Sequence, residues 1–317
     1  MLNILIKGCG IAGLTVAWEL AKYGCKITFY APEISPINSA SWFAGGMLAP
    51  FCERESAPEI VQKEGVRAIK WWRENFSHHV ISNGTLVLTL QRDFSELERF
   101  AKATSGHNLL QANDIEKLEP NLTGRFNRAL FYENEAHIDP REILLLMKHE
   151  LEQKNVVFLP YENKDNYDFI IDCTGINYAK QNKDLRGVRG EMLLVKCKDI
   201  SINRTIRLLH PRIPLYVVPR ANNIFMIGAT MIESSSDAPI LCRSMMEMLN
   251  CAYMLHPAFA GAQILESGVG IRPAFPDNLP KIEQNSNHIS INGFYRHGFL
   301  LSPYIANNIV NLLIKKA

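Results

Sequence analysis

The stretch Leu2-Asn3-Ile4-Leu5-Ile6-Lys7-Gly8-Cys9-Gly10-Ile11-Ala12-Gly13 decides the fold. Its first six residues are aliphatic enough for a buried parallel strand and too few for a secretory leader. The last six form a G-x-G-x-x-G turn, after which Leu14, Ala17, Trp18 and Ala21 recur at i, i+3, i+4 and i+7, the spacing that lines one helix face. Gly24 closes that helix. Gly8 permits the tight turn, Gly10 lets the backbone approach a pyrophosphate, and Gly13 lets helix and strand pack closely. The diphosphate then meets the unpaired amides and positive dipole end of the helix. Glycine-rich turns are common; the strand-turn-helix frame is what predicts a dinucleotide here.

One part of that fingerprint is absent. Lys26 to Tyr30 reads as the second strand, and an acid roughly 20 residues past the glycines ordinarily closes it to grip the ribose. Ala31 stands there instead; Glu33, beyond Pro32, either reaches the ribose from the loop or is a solvated loop carboxylate, the second being the expected reading.

Composition narrows the class. A chain of 317 residues, 47% hydrophobic, builds one large or two ordinary domains around a well-buried core. Its formal charge of +2 comes from near-balanced acids and bases without a long basic block, which offers nothing to nucleic acid or anionic lipid. No apolar run is long enough to span a bilayer. Seven scattered cysteines, an odd number without paired C-x-x-C spacing, argue against a disulfide framework and against structural zinc, and a reducing cytoplasm is the expected location. His78, His79 and His297 do not make a metal set.

Along the chain, Ser39 to Pro50 combines small residues with Trp42, Phe43, Met47 and Leu48, a mixture expected to be buried against something. Residues 58–75 read as a helix with Val61, Gly65, Ala68 and Trp72 on one face, Trp71-Trp72 serving the core. From Gly84 the texture changes: Thr85 to Leu90 is a strand, residues 94–104 a short helix, and a second domain begins. Asp139-Pro140 is an N-cap with proline at the first helical position, opening a helix with Ile143, Leu144, Met147 and Leu151 inward. Asp168 to Gly175 reads as a further central strand ending in a small-residue turn. Strands at Glu191 to Val195, Leu215 to Val218 and Ile224 to Ala229 follow without helices between them, which predicts an antiparallel sheet. After the strand Ile289 to Ile291, Ser302-Pro303 reads as the N-cap of a last helix, Tyr304 to Leu313, its positive end aimed at the loop of His297 and Gly298.

With these pieces in place the chain resembles the flavin amine oxidases of the D-amino-acid oxidase superfamily, most closely the glycine oxidases of thiamine biosynthesis. The resemblance runs end to end and rests on Ala44 to Pro50; Val188-Arg189-Gly190-Glu191; His210-Pro211-Arg212 through Tyr216 to Arg220; Ile227 to Thr230; Gly270-Ile271-Arg272-Pro273; and Arg296-His297-Gly298. It implies an α/β chain with a Rossmann-like FAD-binding domain, residues 1–80 with 137–182 and 273–317, and a second α+β substrate domain built on an antiparallel sheet, residues 81–136 with 183–272. FAD is expected against Gly8, Gly10, Ile11, Ala12 and Gly13; Ser39, Ser41, Ala44, Gly45, Gly46 and Met47; Thr174 and Gly175; and Arg272, Arg296, His297, Gly298, Phe299 and Leu300. Arg272 is implied as the substrate carboxylate clamp, Tyr216 as a hydroxyl donor to that carboxylate, and Arg296 as a basic group near flavin and substrate. A guanidinium matches a carboxylate in a planar two-bond fork that a lysine cannot reproduce. His297 is expected to shape the flavin loop.

Two departures from the family pattern both touch the adenosine end: Ala31, and the short segment between Val156 and Asp168 where relatives carry a longer strand excursion. Related sarcosine oxidases link flavin to a C-terminal cysteine, but the last cysteine here is Cys251, so a noncovalent FAD is expected. The implied reaction is oxidation of a small amino acid, glycine foremost, to an imine with hydrogen peroxide formed from molecular oxygen, and it calls for no acid-base dyad. A D-amino-acid or sarcosine-type oxidase or dehydrogenase is the neighbouring alternative. An RNA-modifying flavoprotein would show a basic groove, which the charge balance disfavours. A non-catalytic dinucleotide-binding protein would give Arg272 and Tyr216 no reason to converge. Whether the chain forms a homo-oligomer is left open by its sequence.

Overall fold

The strand predicted before the glycine turn, Asn3–Lys7, lies inside a six-stranded sheet in a computed structural model of the protein, which describes residues 1–33, 35–163, 165–210 and 215–315. Lys26–Tyr30 and Phe169–Asp172 flank it in parallel, with Ile4 opposite both Ile27 and Phe169. Val157–Leu159 extends the sheet beyond the second strand, and the hairpin Lys281–Asn285 and His288–Asn292 closes the other side. Helices Ile11–Ala21 and Glu59–Phe76 both pack on the C-terminal helix. Helix Pro140–Gln153 opens as expected: the Asp139 carboxylate accepts the Arg141 amide at 2.9 Å, and Ile143, Leu144, Met147 and Leu151 are buried.

The last helix begins earlier than Ser302-Pro303 suggests. It spans Gly298–Val310 with His297 at its N-cap, and Pro303 sits inside it. An interior proline leaves the carbonyl four residues back without its amide partner. Here that carbonyl belongs to Phe299, and the indole nitrogen of fully buried Trp72 donates to it at 2.9 Å. A tertiary hydrogen bond therefore supplies what the proline removes, and the helix N-terminus arrives directly at His297.

The second sheet is nine-stranded among the described residues. Its order is Ile232–Glu233, Arg186–Lys196, Ile224–Gly228, Leu215–Arg220, Thr205–Leu209, Thr85–Thr89, Arg128–Tyr132 and Asn108–Gln111, with Gln263–Ala274 also paired to Arg186–Lys196. The expected antiparallel character holds for the hairpins, but Thr205–Leu209 runs parallel to Thr85–Thr89. No hairpin joins that pair; the chain visits the first sheet between them, so nothing in the connection imposes antiparallel order. Asn222 and Asn223 take left-handed conformations at the turn joining Leu215–Arg220 to Ile224–Gly228. We propose to divide the chain at the limits given above, with Gln263–Ala274 running across the last of them.

Candidate cofactor and substrate site

The glycine turn is built for close approach. Gly8 has φ +96°, and a Cβ there would come to 2.5 Å of the Cys173 carbonyl oxygen; a Cβ on Gly13 would overlap the carbonyl of Gly8. Gly10 is extended at the helix N-cap. The next amide, Ile11 N, donates at 3.1 Å to the Ser41 hydroxyl, and the Ser39 side chain lies beside Gly10. Ser41 thus faces the helix N-terminus, Ser39 lies beside Gly10 with its hydroxyl on the Pro36 carbonyl at 2.7 Å, and the amides of the turn suit a diphosphate. On the neighbouring strand end Thr174 bonds Asp172 through its amide (2.9 Å) and hydroxyl (2.6 Å), and Gly175 is left-handed with φ +62°.

The adenosine end is sparser. Ala31 is buried, its amide donating to the Leu159 carbonyl at 3.1 Å. The Glu33 carboxylate accepts a hydrogen bond from the Asn38 amide. The short path after Leu159 brings Glu162 to Lys7, 2.6 Å between Nζ and the carboxylate, just before the glycine turn.

Gly45 and Gly46 are fixed from the other side. Arg220 donates to the Gly45 carbonyl at 2.7 Å, and left-handed Gly46 accepts from the Ile138 amide at 2.9 Å, where a Cβ would overlap the Ile138 carbonyl. Ala44, Gly45, Gly46, Met47 and Ala49 line one cavity with Glu53, Arg296, Phe299 and Leu300. A larger cavity of about 250 Å³, between Trp42, Arg141, Met192 and Met226, contains none of Glu53, Tyr216, Arg272 or Arg296.

Glu53, on the short helix Pro50–Glu53, is the centre of the cavity's charge. Its Oε2 accepts from Arg296 Nε at 2.6 Å and lies 2.8 Å from His297 Nε2; Tyr216 donates its hydroxyl to Oε1 at a long 3.4 Å. Burial alone would raise this carboxyl, but the Arg296 charge and then the His297 hydrogen bond outweigh it and hold the group well below the usual carboxylate range. Arg296 also reaches Ser56 Oγ (3.2 Å) and Met231 Sδ (3.3 Å). Beneath them the Arg207 guanidinium lies 5.2 Å from the Tyr216 ring centre and pairs with Glu55 at 3.0 Å. Buried Glu135 accepts the Cys52 amide at 2.7 Å, and burial pushes its carboxyl up to about 7.

Arg272 is held differently. Its Nη1 donates to the Thr230 carbonyl at 2.9 Å, a neutral partner. Its guanidinium lies over Gly190, where a Cβ would fall 2.6 Å from Nη1 and closer still to Nη2. The rest of the Val188 to Glu191 motif fixes Thr230: Glu191 N donates to Thr230 Oγ1 at 2.9 Å, and Arg189 braces the Glu191 carboxylate at 2.6 Å. Burial, joined by the like charge of Arg296, lowers the Arg272 guanidinium to about 10. Tyr216, Arg272 and Arg296 are therefore brought together, with His297 behind Arg296. Residues 211–214, which include Pro211 and Arg212, lie outside the described residues.

Glu53, Arg207 and Glu135 escaped sequence reasoning, since lone acids and a lone arginine carry no spacing signal. The one available hint was Pro50 as a helix-opening residue at the end of the Ala44 to Pro50 motif, which places Glu53 one turn from the glycines.

The FAD dependent oxidoreductase family matches residues 3–312, and the chain belongs to that family. It is similar over its length to the thiamine biosynthesis oxidoreductase ThiO of Rhizobium etli, 48% identical over 316 residues that cover 99% of this chain and 97% of the relative. The glycine oxidase of Pseudomonas aeruginosa is 22% identical, covering 98% of this chain and 94% of that one. Among solved structures, glycine oxidase from Geobacillus kaustophilus superposes with a TM-score of 0.84 at 20% identity, over 100% of this chain and 96% of that chain, which supports the shared fold.

Proposed function

We propose that the chain oxidises a small amino acid, glycine foremost, to its imine, with molecular oxygen as the electron acceptor and hydrogen peroxide as co-product. The name of the Rhizobium etli relative supports a place in thiamine biosynthesis, and seven unpaired cysteines support a cytoplasmic location. Among the described residues no helix is long and apolar enough to cross a membrane. The observation that carries the reading is Arg272, a guanidinium spending one nitrogen on the neutral Thr230 carbonyl within electrostatic reach of Tyr216 and Arg296.

FAD, when bound, supplies the electron chemistry, accepting a hydride from the substrate's alpha carbon. Gly8, Gly10, Ile11, Ala12, Gly13, Ser39 and Ser41 would hold its diphosphate, Thr174 and Gly175 the adjoining strand end, and Ala44 to Met47 with His297 to Leu300 its ring system. Arg272 binds the carboxylate in a fork, and Tyr216 directs its hydroxyl toward the same place. Arg296, fixed by Glu53, borders the cavity without competing for a flexible position. Phe299, Leu300 and Met47 exclude water, which strengthens each polar contact inside.

Turnover of the purified yellow protein against glycine, sarcosine, D-alanine and methylamine, read as peroxide release, tests the proposal. Glycine should turn over and methylamine, lacking a carboxylate, should be poor. Equal turnover of methylamine and glycine would contradict the clamp. Preference for sarcosine or D-alanine would move the substrate within the same chemistry.

A further inference from the structure

Arg296 lines the cavity with Glu53, and Arg272 lies close enough to feel the charge of both, yet the two arginines are not equivalent. Arg296 places Nε on the Glu53 carboxylate at 2.6 Å, and Glu53 is itself 5% exposed and ionised. Among the described residues Arg272 has one hydrogen-bond partner, the Thr230 carbonyl, and that group carries no charge. The charges cancel pairwise on one side and leave a single positive charge on the other. Buried Arg207 shares the Glu55 carboxylate with Arg99, at 3.0 and 2.9 Å.

We infer that Glu53 sets the substrate's charge class: by cancelling Arg296 it leaves the chamber matched to one carboxylate and closed to dicarboxylates. The inference rests on the amino-acid reading above and adds to it a residue that acts through Arg296. A substrate with a second carboxylate would bring a negative charge toward the Glu53 carboxylate and find Arg296 already paired. Like-charge apposition in a partly dry site is costly, so discrimination comes from repulsion as much as from attraction. His297 Nε2 and the Tyr216 hydroxyl contact the same carboxylate, which holds Glu53 against Arg296 at the cavity wall.

The test compares acetate with malonate as ligands of the holoenzyme, using the change each makes in the flavin absorbance spectrum, together with anaerobic reduction by glycine. Wild type should bind acetate more tightly than malonate. Glu53→Gln keeps the shape and removes the charge, and it should shift the malonate-to-acetate affinity ratio toward malonate by at least about tenfold, a change that loss of packing alone would not produce. Arg272→Ala should weaken both anions in either background. An unchanged ratio in Glu53→Gln overturns the inference while acetate binding and glycine reduction leave the amino-acid reading standing. If Glu53→Gln does not fold, wild type decides: tighter malonate than acetate overturns the inference, and the reverse supports it. Failure of wild type to bind either anion or to be reduced by glycine would remove the parent reading, and this inference with it.

Discussion

The two ends of the dinucleotide path are built to different standards. At the proposed substrate end, Glu53, Tyr216, Arg296 and His297 interlock within a few hydrogen bonds, and Arg272 is seated on a carbonyl that a second buried ion pair, Arg189 with Glu191, keeps in place. At the adenosine end, the position of the ribose acid holds buried Ala31, the nearest acid is bonded to Asn38, and the chain crosses back after only Val157–Leu159. Chemistry constrains one end closely, because a carboxylate must be placed to within a fraction of an ångström. The other end contributes affinity alone, and affinity can be shared with the helix N-terminus.

The largest expected effect lies at the substrate end. Arg272→Ala leaves a buried carboxylate without its partner, roughly 3 to 5 kcal/mol, so kcat/KM for glycine should fall by about two to four powers of ten at 1.36 kcal/mol per decade. FAD content should stay near wild type, and Arg272→Lys should recover only part. Loss of FAD along with activity would erase the distinction between the two ends.

Next comes buried Glu135, which accepts the Cys52 amide one residue from Glu53. Burial raises the Glu135 carboxyl to about 7, above its unfolded value. The stability it contributes is full below the unfolded pKa and is lost as pH rises through about 7, a change of roughly 3 kcal/mol. Denaturant titrations at pH 5 and pH 8 should show Glu135→Gln gaining on wild type at the higher pH. Parallel pH curves for the two proteins would mean that Glu135 ionises freely.

The adenosine end should respond more mildly, and in the opposite direction. Ala31→Glu should tighten FAD by roughly 1 to 3 kcal/mol, the range of a charged hydrogen bond, in a titration of apoprotein. Unchanged affinity would show that another group already serves the ribose. Glu33→Gln should be the smallest, within about 0.5 kcal/mol, since its carboxylate is occupied by Asn38. A large loss there would assign Glu33 to the ribose after all.

Local patterns in the sequence exposed one half of this arrangement. The glycine turn, Asp139-Pro140 and the helix face from Val61 to Trp72 depend on spacing within a few residues, and each appears as read. Long-range physics hid the rest. Pro303 signals a helix start until the Trp72 indole, distant in sequence, satisfies the carbonyl it frees. Thr205–Leu209 pairs in parallel with a strand on the far side of an excursion through the other sheet. Glu53 looks like any acid after a proline, and its meaning comes from Arg296 and His297 at the other end of the chain.

If the well-built end places an amino acid for oxidation by FAD, glycine must reduce the bound flavin. Anaerobic mixing of the yellow holoenzyme with glycine tests it most directly, with the flavin absorbance as the readout and acetate as competitor. Glycine is expected to bleach the flavin, and acetate to slow the bleaching. Colour that persists with glycine, in a protein whose flavin a chemical reductant readily bleaches, would contradict it.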